Sequence, residues 1–238
     1  MRYAVYFTPP QDDPLTRAAV AWLGRDAFAG AAMTPPSDAG MALSDWEALT
    51  ADPRRYGFHA TLKAPFTLAE GCSPADLEAA FERFCAQAAP VVIPKLVLAQ
   101  LGLFFALVPG IGSSEGVDSL CAAVVEAFEP FRAALSPEDI ARRRPERLTE
   151  RQRAHLDRWG YPYVFDEFRF HMTLTGPVAE ADQPRMRDLL TERFSAFTDR
   201  PLPVSHLGLS VEPERGAAFA IARLAPLSGK ANTGETIA

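Results

Sequence analysis

Three things are scarce in this chain of 238 residues: histidine, with four copies; cysteine, with three; and long apolar runs, none of which approaches the roughly 20 residues that cross a bilayer. The missing run argues against a membrane partner. Cys72, Cys85 and Cys121 are odd in number and lack the close pairing of a zinc or redox motif. Cys85 and Cys121 lie in helical apolar patterns, where a free thiol serves as a small core group. Positive charge is also short. A net charge of -6 and a pI near 5.3 disfavour a long grip on nucleic acid, which needs many Lys and Arg contacts to phosphates. A small phosphorylated substrate is the expected partner. The opening Met1–Phe7 is too short for a signal peptide and is expected to be the first strand of a cytoplasmic protein.

With 48% hydrophobic and 10% aromatic residues, the chain can bury a full core as one large domain or two lobes. Its most informative feature uses half of the scarce histidines. Phe-His-x-Thr-Leu-x-x-Pro occurs twice, over Phe58–Pro65 and Phe170–Pro177. If each copy is a strand, period-two alternation puts His59 with Thr61, and His171 with Thr173, on one face; Ala60, Leu62, Met172 and Leu174 take the other. Two imidazoles brought together can divide proton transfer between a base and an acid near neutral pH, while hydroxyls hold an oxyanion such as phosphate. The same alternation places Lys63 and Thr175 on the motif face, where Lys63 either neutralises a phosphate or reaches solvent. Tyr56 falls on the opposite parity. No further His or carboxylate sits at ligand spacing around either motif, so neither metal nor cofactor is expected. His155 and His206 lack a paired motif and read as surface or structural residues.

The surrounding pattern repeats. A strand over residues 2–8 and a helix over 15–23 open the chain, followed by a Gly- and Pro-rich connection over 29–53 with one helical turn near 45–49. Next come a motif strand over 56–63, a helix over 75–87 capped by Ser73 and Pro74, and strands over 91–98 and 103–108. The second half gives a helix over 117–134, a motif strand over 168–174, a helix over 183–197, and strands over 202–211 and 217–224. These observations predict an internal duplication over residues 1–227, with two lobes facing across a cleft, and a disordered tail over 228–238.

Two segments depart from the repeat. Residues 136–163 hold Arg142, Arg143, Arg144, Arg147, Arg151, Arg153 and Arg158 among acidic residues, which reads as a solvated, salt-bridged helix or as an arm bringing an Arg to a phosphorylated substrate. Gly110, Gly112 and Gly116 match neither the dinucleotide fingerprint nor the P-loop and read as a plain turn.

The paired His-x-Thr motifs on a duplicated chain resemble the two-histidine (2H) phosphoesterase superfamily. More narrowly, the stretches over 2–7, 55–66, 159–163 and 166–177 are similar to a branch of phosphonate-metabolism proteins found with carbon-phosphorus lyase operons. The likeness runs to about Leu227. It implies an α+β fold of two pseudo-symmetric lobes with antiparallel sheets and outer helices around a central cleft. It also implies a metal-independent phosphodiesterase in which His59 and His171 exchange protons with attacking and leaving oxygens while Thr61 and Thr173 bind the phosphate. Two alternatives stay open: an RNA 2',3'-cyclic phosphodiesterase, and a non-catalytic module that binds a nucleotide or phosphonate intermediate.

Overall fold

The structure is a computed structural model that describes residues 1–34, 36 and 39–230. Pro35, Ser37 and Asp38 of the predicted 29–53 connection and residues 231–238 of the predicted tail lie outside the described residues.

The architecture is α+β. In chain order the elements are β1 (Arg2–Phe7), α1 (Pro14–Leu23), β2 (Arg25–Asp26), β3 (Ala31–Ala32), α2 (Leu43–Tyr56), β4 (Ala60–Phe66), α3 (Pro74–Gln87), β5 (Val91–Leu101), β6 (Phe104–Pro109), α4 (Glu115–Ala127), α5 (Pro137–Arg142), α6 (Glu150–Trp159), β7 (Met172–Thr173), α7 (Gln183–Phe194), β8 (Arg200–Val204), β9 (His206–Glu212) and β10 (Ala220–Pro226). Apart from the short β2–β3 hairpin, the strands form one antiparallel sheet in the order β10-β9-β1-β4-β7-β6-β5-β8.

Both motif strands therefore sit at the centre, side by side, with three strands outside each. The halves of the chain do not build separate sheets. β5, from the first half of the chain, pairs with β6; β9, which follows α7 and β8, returns to pair with β1. Two-residue β7 is the thin join between them.

Helices cover one face of the sheet. Tyr3, Val5 and Phe7 of β1 point into a large core with Leu77 and Phe81 of α3, Val124 of α4, and Leu190 and Phe194 of α7. Phe58, Ala60 and Leu62, and their counterparts Phe170, Met172 and Leu174, enter this same core, as the alternation requires. On the other face Ala4 and Tyr6 form a small separate cluster with Phe219 and Tyr56. That second face is the one the motifs share.

The predicted loop before the first motif is instead the 14-residue helix α2. Tertiary packing overrides its sequence: the Trp46 indole is buried and donates to the Trp22 carbonyl at 2.8 Å. Pro53, inside this helix, has no N–H for the Leu49 carbonyl, and the Gly176 N–H at the end of the second motif takes its place at 2.5 Å. Where the sequence predicted capping, the cap is present: Ser73 and Asp76 form a reciprocal box at the start of α3, with Pro74 in the first turn. Among the described residues no helix is long and apolar enough to cross a membrane.

Candidate active site

The pairing of Ala60 with Met172 sets the geometry. One step to either side, the antiparallel register puts His59 opposite Thr173 and Thr61 opposite His171, with directly facing side chains about 5 Å apart at Cβ. The four residues form a diamond, each His diagonal to the other, and all four are half-buried.

The two imidazoles are held alike. His59 Nδ1 lies 2.9 Å from the Gly57 carbonyl and His171 Nδ1 lies 2.7 Å from the Arg169 carbonyl, in each case two residues upstream. A carbonyl oxygen only accepts, so Nδ1 carries the proton in both rings, and Nε2 of the neutral form is free to take one. His59 Nε2 accepts from the Thr61 hydroxyl at 3.1 Å. The Gly57 anchor demands glycine: its φ is +77°, and a Cβ there would lie 2.6 Å from the Ala27 Cβ.

Their surroundings differ. The His59 ring packs at a tilt against Tyr6, with ring centroids 4.0 Å apart, and has Tyr56 at 5.9 Å, whereas His171 has Phe104 at 6.0 Å. Burial draws the His59 pKa down to about 4; the Gly57 hydrogen bond pulls the other way, and the charge of His171 adds to the lowering. His59 is therefore neutral at pH 7. Tyr6 is buried, its phenol pushed well up by that burial, and its hydroxyl has no hydrogen-bond partner among the described residues.

Lys63 is not brought to this face. The β1–β4 register slips twice, between Tyr3 and Val5 and between Val5 and Tyr6, so Leu62 and Lys63 are buried in succession. Lys63 turns to the helix side, where its ammonium donates to Glu129 at 2.5 Å and to the Val125 carbonyl at 3.0 Å. Arg132 completes the cluster on Glu129 at 2.6 Å. Thr175 is also turned inward; its hydroxyl accepts the Phe105 N–H at 2.9 Å. The expected alternation thus holds through Leu62 and Leu174 and fails at the next residue in both copies.

Tyr6 and Tyr56 were not singled out by sequence. Tyr56 ends α2 instead of lying in the motif strand, so strand parity did not apply to it. For Tyr6 a signal existed: its alternation in residues 2–7 puts it on one face with Arg2 and Ala4, but pairing that strand with the first motif required the fold.

The arginine-rich segment divides into α5 and α6. Arg151 and His155 pair with Asp166 at 2.6 and 3.2 Å, Arg153 donates to the Leu148 carbonyl, and Arg158 lies over the Trp159 ring. Arg142 and Arg143 instead line a cavity bordered by Tyr56. His206 is bonded to Ser205. The cysteines are free, and burial lifts the Cys85 thiol to about 12 and Cys121 higher still. Among the described residues no group of three or more His, Cys, Asp or Glu is arranged to hold a metal ion.

Compared with known proteins, residues 61–220 match the sequence family described as "Protein of unknown function (DUF1045)". Two curated relatives are both named ribose 1,5-bisphosphate phosphokinase PhnN. The one from Janthinobacterium sp. (strain Marseille) is 37% identical over 233 residues, 96% of this chain and 51% of its own length. The one from Laribacter hongkongensis (strain HLHK9) is 40% identical over 226 residues, 94% of this chain and 51% of its own length. The chain thus spans about half the length of the curated relatives it matches. Among solved structures, TT0787 of Thermus thermophilus is 16% identical, with a TM-score of 0.45, over 97% of this chain and 100% of that one.

Proposed function

The chain belongs to the DUF1045 family, and we propose that it is a two-histidine phosphodiesterase that opens a small cyclic or linear phosphodiester, with a role in phosphonate metabolism. The observation that carries this reading is the β4–β7 register, which sets His59 across from Thr173 and Thr61 across from His171 on one open face. The strand order, with the motif strands central and three strands outside each, supports reading the fold as two pseudo-symmetric lobes from one duplicated domain.

In the proposed mechanism the Thr61 and Thr173 hydroxyls hold the non-bridging phosphoryl oxygens. His59, neutral at pH 7, takes a proton from the attacking water at Nε2 as the water oxygen bonds to phosphorus. The P–O bond to the leaving group breaks on the opposite side, and protonated His171 delivers its Nε2 proton to that oxygen. Return of a proton from His59 to solvent and uptake of one by His171 reset the pair.

The test is hydrolysis of a panel of small cyclic phosphates, with EDTA present, by wild type, His59→Ala and His171→Ala. Each variant is expected to lose about 10²- to 10⁴-fold in kcat. Undiminished turnover in either variant overturns the reading. A wild type that binds the panel without turnover favours the binding module.

The relatives' names favour a second reading, a phosphokinase. That activity is said of proteins about twice as long, and the glycines of residues 110–116 match no triphosphate cradle. Consumption of ATP with ribose 1,5-bisphosphate by this chain, insensitive to His59→Ala, is the result that selects the kinase.

A further inference from the structure

Resting on the diesterase reading, we propose that the substrate carries a second, terminal phosphate, held in an arginine-lined cavity that adjoins the histidine pair. The cavity has a volume of about 440 Å³ and is lined by Arg2, Arg55, Tyr56, Arg142, Arg143 and Arg215, together with the Asp139 carboxylate. Tyr56 is the shared wall, since its ring also lies 5.9 Å from that of His59. Along β1, Arg2 lies on the same face as Tyr6 and four residues away, which is about 13 Å of strand. Tyr56 therefore borders both the cavity and His59.

Most of its cations are fixed in place. Glu212, fully buried and opposite Arg2 in the β1–β9 register, accepts from both Arg2 and Arg55 and from the Gly216 N–H at 3.0 Å. Asp139 takes the fork of Arg215 at 2.8 and 3.1 Å and touches Arg142 at 3.4 Å. Five guanidinium groups thus surround two carboxylates, a local excess of positive charge in a chain of net charge -6. Arg143 carries part of that excess. It lies over the Tyr161 ring at 4.9 Å and meets no carboxylate among the described residues. An aromatic face orients a guanidinium without neutralising it, leaving its planar fork for a phosphate. Such an excess inside a walled cavity focuses the field on one anion. A diester at His59 and His171 and a monoester at Arg143, with Tyr56 between them, describe a small substrate that bears two phosphate groups.

Two experiments test this separately from the chemistry. In the first, the intact chain is titrated calorimetrically with ribose 5-phosphate, a probe that carries only the terminal monoester. Arg143→Ala is expected to weaken binding by at least about tenfold, and Arg143→Lys, which keeps the charge but loses the fork, by less. Equal affinity in wild type and both variants overturns the pocket. In the second, kcat/KM is compared for two cyclic sugar phosphates that differ only in a terminal phosphate. Wild type is expected to prefer the doubly phosphorylated one, and Arg143→Ala to reduce that preference at least about tenfold. Turnover of both without preference overturns the pocket and leaves the diesterase reading standing. Arg143-dependent binding with no turnover of either compound overturns the diesterase reading and leaves the pocket.

Discussion

The two copies of the motif share sequence, backbone anchor and sheet position, yet only one is walled in. His59 packs against Tyr6 beside Tyr56 and precedes a seven-residue strand, whereas His171 precedes a two-residue strand, with Phe104 at 6.0 Å. Desolvation disfavours the charged imidazole, so burial keeps His59 neutral and suited to accept a proton. The lowered proton affinity of His59 is thus set by its neighbours and not by its motif. The neighbours come from outside the motif: Tyr6 from β1 and Tyr56 from the end of α2.

Removing either imidazole should break the comparison outright. His59→Ala and His171→Ala are each expected to lower kcat by about 10³-fold, within the range for general acid–base groups, as read by steady-state hydrolysis. A thousandfold loss in one and none in the other would leave a single-histidine mechanism.

Position 63 provides the next contrast. Lys63→Met removes one cation from the buried Glu129 cluster, and about 3 kcal/mol of stability is expected to go with it, the lower end of the range for breaking a buried pair, since Arg132 stays on Glu129. Denaturant unfolding measures this. The folded variant should keep wild-type KM for a cyclic phosphate; a large rise in KM would mean that Lys63 does reach the substrate.

Acid should test the burial of the first copy. The His59 value of about 4 in the folded protein lies below the ordinary 6.5, so the unfolded chain binds the proton more readily. The stability contributed by neutral His59 is fully present above pH 6.5, is lost as pH falls toward 4, and declines no further below that. Between those limits stability should fall with a slope of up to about one proton, and His59→Asn should flatten the slope by that amount. Identical slopes in chemical unfolding at stepped pH would place His59 in water.

The smallest effect belongs to the second copy. Thr175→Val leaves the buried Phe105 N–H without an acceptor and should cost about 1–2 kcal/mol, with thermal unfolding as the readout. A neutral result would mean that this N–H finds water.

How far the sequence carried the structure follows from the range of the forces involved. The alternation of Phe58, Ala60 and Leu62 against His59 and Thr61 is local, and it was readable, as was the Ser73–Pro74 start of α3. The β1–β4 bulges that turn Lys63 inward depend on a partner strand some 60 residues away and leave no mark on the motif. Residues 43–56 carry Pro53 and few core-facing apolar side chains, so their helix is decided by Trp46 against Trp22. The pairing of β5 with β6 and of β9 with β1 is equally silent, because β5 and β9 read alike whichever strand they join.

The hydrogen bond from Gly176 to Leu49 ties these regions in time as well as in space. Proline at 53 leaves one carbonyl of α2 unclaimed, and the amide that fills it belongs to the end of the second motif. The Gly176 amide can then exchange with solvent only when that segment leaves α2. In deuterium it should therefore report on the opening of both motifs as a single cooperative unit, slower than its position in a loop suggests.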